Sequence, residues 1–223
     1  MHIEPGVVDG AKMILSYGTA AAAGGLSLKL IAEDLKAHNG LSFALRSALA
    51  AIGTFICFEV LPHFAVGVSE VHLILGTTLM LILGAGPAAL GLAAGLLIQG
   101  LLFAPTDLAM FTVNVTTLLF PLALIATLAR QIIPANKAYV DLGYSDVLKL
   151  SFAYQGGIVA WVAFWAFYGQ GFGVMADVAS FGAAYMLVVI VEPLADLAAL
   201  AGAKALRGYR ASGLFVNRLH NAA

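Results

Sequence analysis

A histidine in second position makes the start of this chain a potential chelator. Three nitrogens follow one another there: the amine of Met1, the backbone nitrogen of His2 and the imidazole of His2. On one metal ion, the amine and the backbone nitrogen close a five-membered ring. The backbone nitrogen and the nearer imidazole nitrogen close a six-membered one. A planar nitrogen set of this kind suits Ni(II) and Cu(II), and imidazole suits this part of the transition series generally. No basic run precedes an apolar core at the start, so a cleavable signal peptide is not expected and Met1 is read as the mature start. The bulk of His2 should keep the initiator methionine in place. A fourth ligand has to come from elsewhere in the chain.

Other residues carry weaker signals. Of the remaining histidines, His63 and His72 fall between apolar runs, whereas His38 and His220 sit among basic residues. Gln99, Thr112, Asn114 and Thr116 are polar groups inside apolar runs; such groups either glue helices together or orient metal ligands from behind. Glu192 is a carboxylate in a long apolar stretch, a costly placement that marks function. Pro193 follows it, and Glu192 either contacts a partner or pairs with a neighbouring helix. Cys57 stands alone in an apolar run and reads as packing. Small residues at Thr19–Gly25, and at Ser47, Ala48 and Ala51, permit close helix approach, inside the chain or against a partner. A phosphate loop of the form G-x-x-x-x-G-K-[ST] is missing, as are HExxH, GxSxG and a nucleic-acid-binding patch.

The elements that must position these groups are set by composition. Of 223 residues, 61% are hydrophobic and 10% charged, against about 25% charged in a soluble domain. Crossing ~30 Å of hydrocarbon takes about 20 apolar residues in a helix. The apolar runs predict an all-α integral membrane protein, a single transmembrane domain over 1–223 with about seven helices. The spans are expected near 8–31, 41–60, 72–83, 87–103, 108–129, 147–168 and 174–200. The third is short, since about 12 residues rise only ~18 Å, and with the fourth it could form a re-entrant pair. With the N-terminus outside, ten of the 11 Lys and Arg residues fall inside and only Lys12 outside. The positive-inside rule therefore predicts an outer N-terminus and a cytoplasmic C-terminus. His2, His63, His72, Glu4, Asp9, Glu59, Glu70, Asp107 and Asp177 then gather at the outer face, where acids attract cations. The aromatic cluster Trp161, Phe164, Trp165, Phe167 and Tyr168 is expected in an outer interfacial belt.

Several of these stretches resemble one family. Met1-His2-Ile3-Glu4-Pro5-Gly6 is similar to the N-terminal signature of the CbiM/NikM family, and His72-Leu73-Ile74-Leu75-Gly76 to its HLxG element. Leu81–Pro87 followed by Leu96-Leu97-Ile98-Gln99-Gly100-Leu101-Leu102-Phe103 resembles a further family stretch. Asn114 matches the Asn of the following helix, and Val191-Glu192 resembles a Glu-containing stretch of the last helix. In one respect the chain differs: Pro5, not an acid, precedes Gly6, and Glu4 stands one residue earlier. The resemblance implies the substrate-binding membrane subunit of an ATP-driven energy-coupling-factor importer for Co(II) or Ni(II), in the plasma (inner) membrane. It implies seven helices and a metal site made of Met1, His2 and His72, with Gln99 and Asn114 as supporting residues. Implied partners are a transmembrane coupling subunit, ATPase subunits and in some systems a small accessory membrane subunit. Two other classes stay open on the residues alone. A secondary transporter should show inverted repeats and midplane charges. A membrane metalloenzyme, with Glu70 and His72 around a catalytic metal, should show further converging acids, bases or nucleophiles.

Overall fold

The structure, a computed structural model, describes residues 2–134 and 137–206. Met1, and the tail carrying Arg207, Arg210, Arg218 and His220, lie outside the described residues. Seven α-helices are described: α1 (Met13–Ala37), α2 (Gly40–Phe55), α3 (Gly76–Leu83), α4 (Ala85–Leu102), α5 (Phe111–Ile132), α6 (Tyr144–Gln170) and α7 (Met175–Ala205). A π-helical turn, Ile56–Val60, extends α2. Between α2 and α3 lies an antiparallel hairpin of β1 (Phe64–Val66) and β2 (Ser69–Val71). Five stretches are long and apolar enough to cross a membrane: Gly10–Ala37, Gly40–Val60, Ala85–Leu102, Pro105–Ile132 and Tyr144–Ala205. The last contains both α6 and α7, separated only by a 3-10 turn.

The expected third span needs correction. Residues 72–75 are apolar apart from His72 but not helical, and α3 has eight residues, which rise only ~12 Å. It ends at Gly84, whose φ of 103° redirects the chain straight into α4. The first apolar stretch runs Gly10–Ala37, entered through a 3-10 turn at Gly10–Lys12, and so extends past the expected end near Ile31.

Packing fixes how the helices run. A Cβ at Gly91 would lie 2.2 Å from Ala50 Cβ, and one at Gly95 would lie 2.6 Å from Thr54 Cβ. These two glycines let α4 lie backbone-close along α2, running the same way, as small residues do between membrane helices. Asn39 starts α2 by accepting the Ser42 N–H at 2.8 Å, an ordinary side-chain cap. Ser16 bonds Thr112 at 2.8 Å and Arg130 bonds Glu33 at 2.5 Å, which sets α1 parallel to α5. α6 returns antiparallel, with Trp161 and Trp165 donating to Thr116 Oγ1 at 2.9 and 3.2 Å. Trp165 is thus fully buried in the bundle rather than in an interfacial belt; a buried indole N–H needs a partner and Thr116 supplies it.

These contacts gather residues 2–12, 56–72, 103–111 and 165–178 at one end of the bundle. The opposite end holds 30–46, 83–88, 126–134, 137–142 and the end of α7. There Arg46, one of the ten cations counted on the inner side, is buried. It bonds Asp34 through two nitrogens at 2.9 and 2.5 Å and donates to the Leu83 carbonyl at 2.6 Å. A paired, bidentate guanidinium of this kind is how a buried charge is tolerated.

Candidate metal centre

The N-terminal segment is held as a third strand. Ile3 bridges Ser69 in antiparallel fashion, the Glu70 N–H donates to the His2 carbonyl at 2.9 Å, and the Glu4 N–H donates to Val68 at 3.2 Å. Ser69 Oγ donates to the same His2 carbonyl at 3.0 Å. The Ile3 N–H, on the side away from the hairpin, donates to Asn114 Oδ1 of α5 at 2.8 Å. Ile3 itself is fully buried. Backbone pairing on one side and Asn114 on the other therefore fix His2 at the end of the bundle.

Pairing with β2 decides what His2 meets. Residues two apart on a strand share a face, and Glu70 and His72 are two apart. One ligand atom from each of His2, Glu70 and His72 lies within 4.8 Å of the others. The two imidazole centres are 5.2 Å apart, and Phe58, from the π-helical turn, packs edge-on to His2 at 5.4 Å and tilted against His72 at 4.5 Å. π-helical turns inside helices recur at functional sites. Here the turn brings a fully buried ring between two histidines.

The hydrogen bonds assign the tautomers. Glu70 Oε2 lies 2.8 Å from His2 Nδ1. An ionised carboxylate only accepts, so Nδ1 carries the hydrogen and Nε2 the lone pair. His2 Nε2 is buried and has no hydrogen-bond partner among the described residues. His72 Nδ1 donates to the Leu73 carbonyl at 3.0 Å, which again places the lone pair on Nε2. This is the second-shell pattern of metal-binding histidines. Burial holds the His2 imidazole below its ordinary value, so it is a neutral donor at neutral pH. Burial alone would raise the Glu70 carboxyl, but the hydrogen bond from His2 and the neighbouring positive charges together outweigh it and hold Glu70 below its usual range. Glu4 is pushed up by burial and by the neighbouring charges of Glu70 and Asp107, the mark of a mouth dense in negative charge. Two imidazoles and a carboxylate form a donor set that fits a divalent transition metal.

One comparison decides the family. The profile described as "Cobalt uptake substrate-specific transmembrane region", CbiM, matches residues 2–208. The chain belongs to the CbiM family. It is accordingly a multi-pass membrane protein and the membrane component of a cobalt uptake system. No curated protein and no solved structure matches it significantly.

The expected site residues of this CbiM-family chain fall out as follows. His2 and His72 come together, although 70 positions separate them in sequence; Met1 lies outside the described residues. Asn114 grips the segment one residue beyond His2. Gln99 is buried and its amide reaches Glu59 at 3.5 Å, on the π-helical turn beside Phe58. Glu192 is fully buried and turned into the bundle, where it accepts the backbone N–H groups of Ile74 and Leu75. His63 stays outside the cluster, with Nδ1 3.2 Å from the Leu61 carbonyl. His38 pairs with Asp34 at the far end. Glu70, which the sequence paired with His72 around a metal only in the metalloenzyme reading, joins the two histidines in the cluster. Its signal is the Glu70-x-His72 spacing, which becomes meaningful only once the segment is read as a strand. Ser47 is buried and α2 packs its small residues against α4, whereas Ala21, Ala22 and Gly25 of α1 remain exposed.

Proposed function

We propose that this chain captures Co(II) or Ni(II) at the outer face of the plasma (inner) membrane and hands it inward within an ATP-driven energy-coupling-factor complex. The ion is held by Met1, His2 and His72, with Glu70 beside them. The observation that carries this reading is the juxtaposition of His2, Glu70 and His72 at the end of the bundle built by the N-terminal segment. Nickel and cobalt are both compatible with nitrogen-rich ligation. In the chelated form, His2 would bind through Nδ1, with its ring hydrogen moved to Nε2 and its hydrogen bond to Glu70 given up. The carboxylate then lies next to the ion as a charge partner.

Orientation follows from charge. Of the described cations, Lys29, Lys36, Arg46, Arg130, Lys137, Lys149 and Lys204 belong to the end opposite the histidines; Lys12, at the histidine end, is bonded to the Gly169 carbonyl at 2.5 Å. We read the histidine end as outer and the end of α7 as cytoplasmic, with seven helices in the membrane and α3 as a short inner strut. Transport energy comes from a separate coupling subunit and ATPase pair, since this sequence carries no phosphate loop; an accessory membrane subunit completes some such systems.

Four variants test the ligand set by metal content and isothermal titration of purified protein. One residue added before Met1 turns its amine into an amide and moves the free amine out of register. His2→Ala removes an imidazole, and His72→Ala removes the ligand from the hairpin side. All three should lose high-affinity binding, whereas His63→Ala should retain it. Unchanged affinity in the extended protein would eliminate the amine chelate.

A further inference from the structure

His72 is followed by a turn that its own sequence disfavours. Leu75 sits at φ 58°, ψ 30°, the one non-glycine residue with positive φ among the described residues. Cβ crowding makes that conformation unfavourable for leucine. Here the non-helical run 72–75 ends and α3 begins, and the N–H groups at a helix start lack partners within the helix. Two of them, from Ile74 and Leu75, point at one atom, Glu192 Oε1, the Leu75 contact measuring 3.0 Å. The other carboxylate oxygen accepts from Gln155 Nε2, and Gln155 Oε1 accepts the Tyr185 hydroxyl at 2.6 Å. Tyr154 closes the turn from α6: a Cβ at Gly76 would lie 2.3 Å from its Cζ. The turn is thus clamped between α6 and α7, and Glu192 supplies the acceptor that holds it.

We infer that Glu192 is a positioning residue for the metal centre: it holds the Leu75 turn and so delivers His72 to His2. The inference rests on the reading of His2 and His72 as ligands. Glu192 acts on the backbone two and three residues beyond His72. What it must offer is one oxygen acceptor at that distance. Glutamine keeps such an oxygen, whereas alanine leaves two buried N–H groups without an acceptor. Glycine at position 75 adopts positive φ without the clamp.

The test uses the full chain in detergent, titrated with Ni(II) and separately loaded with Cu(II), whose visible and paramagnetic-resonance spectra report the nitrogen ligands. Glu192→Ala should weaken Ni(II) binding at least about ten-fold, as loss of a supporting residue does, and its Cu(II) spectrum should become that of His72→Ala. Glu192→Gln should keep the spectrum of the unsubstituted chain, and Leu75→Gly added to Glu192→Ala should restore part of the affinity. The inference is overturned if Glu192→Ala keeps the unsubstituted spectrum and affinity while His72→Ala loses both. It is also overturned if Glu192→Gln binds as poorly as Glu192→Ala, since charge rather than positioning would then be at work. If His72→Ala itself changes nothing, the metal-centre reading falls instead. Should Glu192→Ala not fold, Glu192→Asp, one methylene short of the turn, replaces it with the same two outcomes.

Discussion

At the scale of single residues, the centre is built from side chains whose second hydrogen-bonding atom is already committed. His2 gives Nδ1 to Glu70 and His72 gives Nδ1 to Leu73, so each imidazole is held at a fixed angle before an ion arrives. Glu70→Ala should therefore weaken metal binding by about 10–100-fold even if Glu70 never touches the ion. Glu70→Gln should fall between the two, and titration calorimetry reads all three. Asn114→Ala leaves the buried Ile3 N–H without its acceptor, a cost of about 1–3 kcal/mol. It should lower the melting temperature in detergent and the metal affinity together. The two histidines were legible in the sequence because their chemistry is local: an imidazole one bond from the terminal backbone, and another beside a family-like glycine. Glu70 was legible beside His72 only as part of a metalloenzyme reading, because nothing in the linear sequence shows that the N-terminal segment pairs with β2 and brings His2 to it.

At the scale of elements, the hairpin and the π-helical turn form a socket, and α4 lies along α2 as its support. Gly91→Ala places a methyl against Ala50 and should cost about 1–3 kcal/mol of stability, the usual price of overpacking. Gly18→Ala, on α1 with nothing within 4 Å of the added carbon, should be neutral or stabilising by up to about 1 kcal/mol through helix propensity. Thermal unfolding of both variants in one detergent separates the two effects, and equal melting temperatures would count against the close packing. Hydropathy located most of the long helices to within a few residues. It failed at 72–75, since Leu73, Ile74 and Leu75 are as apolar in an irregular turn as in a helix, and buried backbone can leave the helix wherever side chains such as Glu192 satisfy it. It also stopped the first span near Ile31, although α1 continues to Ala37.

At the scale of the whole molecule, the two ends differ in charge. The histidine end carries the Glu4, Glu70 and Asp107 cluster, and the far end carries seven of the eight described cations. This arrangement predicts opposite exposure across the membrane. Single cysteines at Ala65, exposed on β1, and at Ala37, exposed at the end of α1, should react with an impermeant thiol reagent from opposite sides of intact cells. A Cys57→Ala background removes the native thiol, which is buried. Reaction of both from one side would reverse or abolish the assigned orientation. Sequence charge counts anticipated this polarity. They did not anticipate that Arg46 would be spent inside the bundle, tying Asp34 to the end of α3, because a count cannot tell a solvated cation from a buried one.

The bond between Ile3 and Asn114 joins residues 111 positions apart, and this has a consequence in time. During synthesis at about 5–20 residues per second, the first residues wait roughly 5–20 s before Asn114 exists, and they wait for the hairpin before that. Until the hairpin exists the N-terminal segment has no sheet to join, and until Asn114 exists the Ile3 N–H has no acceptor on its other side. A ribosome-stalled chain ending before α5 should leave its N-terminus open to proteases, and one that includes α5 should protect it. The capacity to hold an ion thus arrives late in the life of the nascent chain, although its first donor atoms are among the earliest made.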